Sequence, residues 1–289
     1  MLSEVEIKHY QDEGYVIPDY QLPHAIVEGM REELECLLDR NPQLTADSLF
    51  VPHAPKNNSQ GMNASNPEKW LDFACHRDIL EMVADLIGED IILWGTTVFG
   101  KPAHTGKATP WHQDGQYWPI RPLASCTAWI AIDEVDTGNG CMRVVPGSHK
   151  GSSVLKHHTN QSSELTLNQE LDADQFDEDA GVDIILKPGQ LSLHDINIVH
   201  GSRNNTSHRR RAGYVLRFMP ATSLFDRDLG AHLSAKSGVV DFTQRALFLV
   251  RGGQQCRAAV AICVALQGEY NRPQFLVRDS DPWIPAAAI

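Results

Sequence analysis

His112 and Asp114 put an imidazole and a carboxylate two residues apart, in the run Trp111-His112-Gln113-Asp114-Gly115-Gln116-Tyr117-Trp118-Pro119. In an extended strand, residues i and i+2 point to the same face, so the two side chains can converge on one metal ion. A second imidazole on a neighbouring strand would complete a set of two histidines and one carboxylate. That set suits Fe(II) and leaves positions open for a co-substrate and O2. His200 is the candidate, because it follows the apolar Ile198-Val199 and precedes Gly201-Ser202. Arg211 comes eleven residues later, at the start of the strand-like run Ala212 to Met219. A guanidinium there can grip the distal carboxylate of 2-oxoglutarate bidentately, and Ser202 can add a hydroxyl.

The chain supplies its own controls. With 13 histidines, about one His-x-Asp pair is expected by chance. His76-Arg77-Asp78 is such a pair, but Ile79, Leu80, Met82, Val83, Leu86 and Ile87 repeat at helical spacing around it. On a helix, i and i+2 diverge and cannot chelate one ion. His194-Asp195 is a decoy of another kind, since adjacent strand residues face opposite sides. His149, His157, His158 and His208 fall in polar stretches and read as surface residues. Arg209-Arg210-Arg211 taken by itself reads as a solvated turn.

The elements that must position these residues follow from the hydropathy pattern. Residues 3 to 13 and 22 to 39 read as helices, with Ile26, Met30, Leu34, Leu37 and Leu38 on one face of the second. Another helix spans 77 to 87. Strand-like runs then dominate: Ile91 to Phe99, the His112 stretch, Ser125 to Val135, Cys141 to Val145, Val182 to Leu186, Gln190 to Leu193, Ile196 to Val199 and Ala212 to Met219. Helices followed by many short strands predict an α+β protein with a jelly-roll core. Residues 41 to 69 read as a long loop, either a surface excursion or a lid. The acidic stretch 157 to 181 reads as an insertion between strands.

The formal charge of −12 argues against non-specific binding to nucleic acid or to an anionic membrane. It leaves room for an anionic substrate, because a few local cations can invert the field in a pocket. No apolar run approaches the roughly 20 residues of a membrane span, and Met1 to Glu6 carries no secretory signature. The six cysteines include no Cys-x-x-Cys, which fits free thiols in a reducing cytoplasm. Oligomeric state is left open.

Four blocks now point to one family. The run His112 to Pro122, the segment Ala128-Trp129-Ile130-Ala131-Ile132-Asp133, the segment Asn139 to Lys150, and His200-Gly201-Ser202 with Asn205, Ser207 and Arg211 stand in order. Together with Tyr10 and Gly14 to Pro18, they resemble the phytanoyl-CoA dioxygenase family of Fe(II)/2-oxoglutarate-dependent oxygenases. The likeness covers roughly residues 1 to 220.

The resemblance implies a double-stranded β-helix (jelly-roll, cupin-like) core with N-terminal helices packed on one sheet. It implies a single domain over 1–289, with a mainly helical part to 90, a β core over 91–220 and a C-terminal extension over 221–289. It also implies iron ligands His112, Asp114 and His200, and 2-oxoglutarate contacts from Arg211, Ser202, Trp129 and Gln113. Trp118, with Tyr117 beside it, falls where related hydroxylases place a substrate-facing aromatic. Within the family, the chain looks most like the 2-aminoethylphosphonate hydroxylases. A phosphonate wants a cationic pocket, for which Lys101, Lys107, Arg121 and Arg143 are the candidates.

The carboxylate at position 114 favours hydroxylation over halogenation, which needs that position for halide. The rival substrates are an acyl-CoA, an amino-acid derivative or a natural-product intermediate. The rival class is a cupin-like binding protein without catalysis, against which His112, Asp114, His200 and Arg211 all being intact argues. Residues 253–289 match nothing in the family; Cys256 to Leu266 is Ala- and Val-rich and reads as a helix with an apolar contact face.

Overall fold

We describe a computed structural model of the chain over residues 1–42, 66–151, 153–237, 242–243 and 245–252, together with the strand 274–275. The first part is helical: α1 (Glu4–Glu13), a short strand β1 (Tyr15–Val16), α2 (His24–Arg40), α3 (Pro67–Ala74) and α4 (Arg77–Ile87). Ser3 caps α1 by accepting from the Glu6 backbone while the Glu6 carboxylate accepts from the Ser3 backbone, a reciprocal capping box. Gly14 ends α1 in the left-handed region at φ 80°, which a residue with a Cβ adopts only at a cost.

The strands follow: β2 (Ile91–Lys101), β3 (Thr109–His112), β4 (Ile120–Arg121), β5 (Cys126–Ala131), β6 (Met142–Val144), β7 (His157–Thr159), β8 (Gln169–Leu171), β9 (Val182–Ile184), β10 (Leu191–Asp195), β11 (His200–Ser202), β12 (Arg211–Pro220) and β13 (Leu224–Phe225). After these come α5 (Arg227–Ser237), β14 (Phe248–Arg251) and β15 (Gln274–Phe275). The larger sheet runs β1-β10-β5-β12-β2-β14-β15 and the smaller β3-β11-β6-β9. Pairing within them is antiparallel, except between β14 and β15. The protein is therefore a mixed helix-and-sheet structure whose two larger sheets are mainly antiparallel, as expected.

Strand β12 shows how the large sheet is used on both faces. Ala212, Tyr214, Leu216 and Phe218 join the apolar cluster that includes Ile79, Met82 and Val83 of α4 and Met30, Leu34 and Leu37 of α2. The alternate residues, Arg211, Val215 and Arg217, line a cavity instead. One period-2 pattern thus seats the helices on one side and builds a site on the other. Tyr214 ties the helix-bearing face to α3. Its ring lies 4.9 Å from that of Trp70 in α3, and its hydroxyl donates to the Trp70 carbonyl at 2.8 Å.

Several expectations shift. Helix α3 begins inside the stretch read as loop, where Asn66 caps the Lys69 amide ahead of Pro67; the part of that stretch over 43–65, read as a surface excursion or a lid, lies outside the described residues. Residues 196–199 are not a strand: 196–197 form a turn and 198–199 are irregular, because Asp195 Oδ1 takes the Asn197 amide at 2.7 Å and closes the chain there. The acidic insertion carries a hairpin, β7 paired with β8. The predicted helix at 256–266 falls outside the described residues.

Trp70 is fully buried between α3 and the sheet. Trp70→Ala is expected to cost about 3–5 kcal/mol of unfolding free energy, measured by urea denaturation of the purified protein.

Candidate metal centre

The two histidines sit opposite each other on neighbouring strands, His200 of β11 in register with His112 of β3. Each donates Nδ1–H to the carbonyl two residues before it, His112 to Pro110 at 2.8 Å and His200 to Ile198 at 3.0 Å. With the proton held on Nδ1, both present a bare Nε2 lone pair. Asp114 Oδ1 lies 3.6 Å from His112 Nε2 and 3.9 Å from His200 Nε2. Three acceptors converge with no hydrogen between them. All three ligand atoms lie within 4.8 Å of one another in a buried cluster, and a cation is what such a cluster can hold.

Asp114 reaches this point differently from the expectation. Strand β3 ends at His112, and Asp114 opens a 3-10 turn over Asp114–Gln116. The turn is tied down by Gly115 donating to the Ile196 carbonyl at 3.0 Å. Gln113 supplies the second tie, its amide donating to the carbonyls of Asn197 (2.6 Å) and Ser153 (3.2 Å) and accepting from Leu155 N–H at 2.7 Å. Gln113 is buried and absent from the cavity wall. In this structure it clamps the turn before His200 to the segment carrying Asp114.

The electrostatics suit a metal site. Burial acts to raise the Asp114 carboxyl, but His112, His200 and Arg217 together hold it well below the usual carboxylate range. Burial, reinforced by His112 and His194, pushes His200 down to about 3. The group is therefore a neutral imidazole at pH 7, as a metal ligand must be.

A cavity of about 330 Å³ opens beside this cluster, between the two sheets. Arg211 sits in its wall, 2% exposed. Nη1 donates to the Gly140 carbonyl at 3.0 Å, while Nε and Nη2 have no partner among the described residues. The guanidinium lies 5.2 Å from the Trp129 ring and 5.6 Å from Phe99. Burial lowers it to about 10 against the pull of Cys141 and Asp133, so it is a cation at neutral pH. A buried cation with two idle donor nitrogens is costly until an anion meets it.

The profile of the family described as "Phytanoyl-CoA dioxygenase (PhyH)" matches residues 10–213. The chain belongs to the phytanoyl-CoA dioxygenase family. It is an Fe(II)/2-oxoglutarate-dependent dioxygenase, with iron, 2-oxoglutarate and O2 as its cofactor and co-substrates. The peroxisomal phytanoyl-CoA dioxygenase of Mus musculus is 35% identical over 230 residues, covering 73% of this chain and 67% of the relative. A probable alpha-ketoglutarate-dependent hypophosphite dioxygenase of Stutzerimonas stutzeri is 29% identical over 162 residues, 54% of this chain and 56% of that protein. Among solved structures, the apo form of the non-heme monooxygenase ThoJ superposes with a TM-score of 0.63 at 22% identity, covering 90% of this chain and 95% of its own.

As a PhyH-family oxygenase, the chain brings the predicted His112, Asp114, His200, Arg211, Ser202, Trp129, Tyr117 and Trp118 to one cavity. Tyr117 stacks edge-on to His112 at 5.9 Å and donates to the Gln169 carbonyl at 3.2 Å. The predicted cations do not join them. Lys101 points away and is fully buried, its Nζ donating to the carbonyls of Lys107 and Arg203. Arg121 is exposed and donates to the carbonyl of Ile120 at 2.6 Å. Arg143 pairs with Asp183 at 3.2 Å and donates to the Gly181 carbonyl at 3.0 Å. Lys107 is also absent from the wall among the described residues.

Among the wall residues not expected from the sequence are His194 and Arg217. His194 does face the cavity, 5.2 Å from the His200 ring, because Asp195 takes the opposite side. Arg217 faces it too, and counting in twos from Arg211 along the strand would have found it.

Gly213 is the residue that leaves Trp129 its place, since a Cβ there would stand 2.2 Å from the indole Cζ2. Gly213→Ala is expected to cost about 1–3 kcal/mol of stability and to shift the tryptophan fluorescence as the indole leaves Arg211. Denaturation and emission spectra of the variant check both effects.

Proposed function

We propose that this family member hydroxylates an unactivated C–H bond of a small polar substrate, with 2-aminoethylphosphonate at the carbon next to phosphorus as the best reading. Residues 1–289 act as one oxygenase domain, and its two facing sheets form a double-stranded β-helix core. The observation that carries the chemistry is the convergence of His112 Nε2, His200 Nε2 and an ionised Asp114 beside the idle donors of Arg211. On this reading the three hold Fe(II), and Arg211, Ser202 and Trp129 hold 2-oxoglutarate. The bound iron supplies the oxidation: O2 and 2-oxoglutarate become succinate and CO2, and one oxygen atom enters the substrate C–H bond.

The chain's own residues do the rest. The Nδ1 hydrogen bonds of His112 and His200 fix both rings for ligation before the metal arrives. Arg211 fixes the far end of the diacid in two-point geometry, and Trp129 and Phe99 wall its guanidinium off from water. Trp94 and Trp118, with ring centroids 4.5 Å apart, close the opposite flank.

The Stutzerimonas relative, by its name a probable hypophosphite dioxygenase, supports a phosphorus oxyanion as substrate. The mouse relative favours a second reading, an acyl-CoA; the cavity of about 330 Å³, shared with 2-oxoglutarate, would leave most of a CoA thioester outside. Relatives include peroxisomal enzymes, so the cytoplasmic location expected from the sequence stands as part of this proposal. Among the described residues, no helix is long and apolar enough to cross a membrane.

Succinate release with Fe(II), 2-oxoglutarate and O2, screened over 2-aminoethylphosphonate, amino-acid derivatives and acyl-CoAs, tests the substrate. Stimulation by 2-aminoethylphosphonate is expected, and stimulation by acyl-CoA alone would replace it with the second reading. Asp114→Ala is expected to abolish succinate formation and to lower Fe(II) affinity at least tenfold, read by anaerobic metal titration. Arg211→Lys keeps the charge but loses the planar fork; the KM for 2-oxoglutarate is expected to rise about tenfold, measured at saturating Fe(II).

A further inference from the structure

Arg217 has so far been given only a through-space effect on Asp114. It lies six residues beyond Arg211 on β12, roughly 20 Å further along the strand. One five-carbon diacid cannot engage both. Its guanidinium stacks 5.2 Å from the Trp118 ring, and Nη1 donates to Thr97 Oγ1 at 2.8 Å. Nε is buried without a partner among the described residues. Arg217 is in register with Gly95 on one side and Thr127 on the other. A Cβ at position 95 would stand 3.8 Å from Arg217 Cδ, an ordinary van der Waals contact. Trp94 is the extra residue of a bulge here, since Gly95 pairs with Arg217 and Leu93 with Phe218. The bulge turns its indole onto Trp118.

The charge balance of the wall asks for an anion at this end. Among the described lining residues, Arg211 and Arg217 face the single carboxylate of Asp114, and Arg245 is held by a partner of its own. Two against one leave an excess of one positive charge. Fe(II) and the 2-oxoglutarate dianion cancel each other, so the excess remains for the substrate to meet. Arg217 does not serve as a direct ion-pair partner of Asp114, because no oxygen of that carboxylate lies within 4.0 Å of it. It acts on Asp114 only through space.

We propose that Arg217 is the substrate's anion-binding residue, taking an oxyanion of a small substrate between Thr97 and Trp118 while the C–H bond faces the metal. The assignment rests on the oxygenase reading above and moves the role expected of Lys101 and Arg121 to a residue on the cavity wall. Trp118 then acts chiefly as the platform that holds the guanidinium flat.

The test uses the Fe(II)- and 2-oxoglutarate-loaded protein under anaerobic conditions, titrated calorimetrically with methylphosphonate, 2-aminoethylphosphonate, butyrate and ethanolamine. Wild type is expected to bind at least one oxyanion probe and not ethanolamine. Arg217→Gln is expected to weaken that binding about ten- to hundredfold, and Arg217→Lys to recover part of it. The affinity of Arg217→Gln for 2-oxoglutarate is expected to stay within about twofold of wild type, with Arg211→Gln showing the reverse pattern. Butyrate binding that depends on Arg217, without phosphonate binding, upholds the anion site and removes the phosphonate assignment. Oxyanion binding unchanged in Arg217→Gln overturns the proposal. So does loss of Fe(II) and 2-oxoglutarate binding in both Arg217 variants, which would make Arg217 a support of Asp114. If wild type binds no probe, the anion site falls while 2-oxoglutarate turnover still stands or falls by itself.

Discussion

Three lone pairs aimed at one point repel unless a cation sits between them. The protein maintains that arrangement with backbone hydrogen bonds to the far side of each imidazole and with burial that keeps water from separating the groups. His112 and His200 are held by their own strands, each through Nδ1 to a carbonyl two residues back. Asp114 is held by a turn, through Gly115 and through the Gln113 clamp on residues 153–155 and 197. Without an ion this geometry is unfavourable, and the surrounding sheets carry that cost. The small sheet must pair in register for the imidazoles to meet at all: a one-residue slip would turn His200 to the opposite face.

The large sheet meets a different constraint, that of supporting buried cations. Strand β12 alternates between an apolar face for α2 and α4 and a polar face for the cavity. Its polar face places two guanidiniums in an interior that penalises both. Each is made tolerable by aromatic rings beside it, Trp129 and Phe99 near Arg211 and Trp118 near Arg217, with Gly213 leaving Trp129 its place. In both cases part of the donor capacity is left idle. Complete satisfaction by protein partners would stabilise the empty protein more and would leave nothing with which to hold a ligand.

How much was legible in the sequence depends on the range of the interaction. The helices at 3 to 13, 22 to 39 and 77 to 87 and the long strand at 212 to 219 were readable because local periodicity and apolar faces specify them. The metal cluster was readable through strand alternation and family-like blocks, even though Asp114 reaches its place through a turn that alternation does not describe. Lys101 and Arg121 misled because charge type says nothing about direction. Lys101 faces inward to bond the carbonyls of Lys107 and Arg203, and Arg121 lies on an exposed edge. Gln113 sits between two ligands in sequence, yet its partners lie 40 to 84 positions away, and no local pattern could assign it to clamping.

The cavity's charge and the chain's charge have opposite signs, and the two are compatible. The formal −12 is spread over a surface where water and salt screen it beyond about 8–10 Å. Inside the cavity, Arg211 and Arg217 face one carboxylate and burial penalises both cations, so their field is screened less than that of the surface charges. An acidic exterior keeps polyanions such as nucleic acids away, while an arginine-lined interior retains a small anion that has entered. Selectivity by size and charge therefore comes from the separation between these two regions. The β12 alternation that seats helices outside and arginines inside is what keeps them apart.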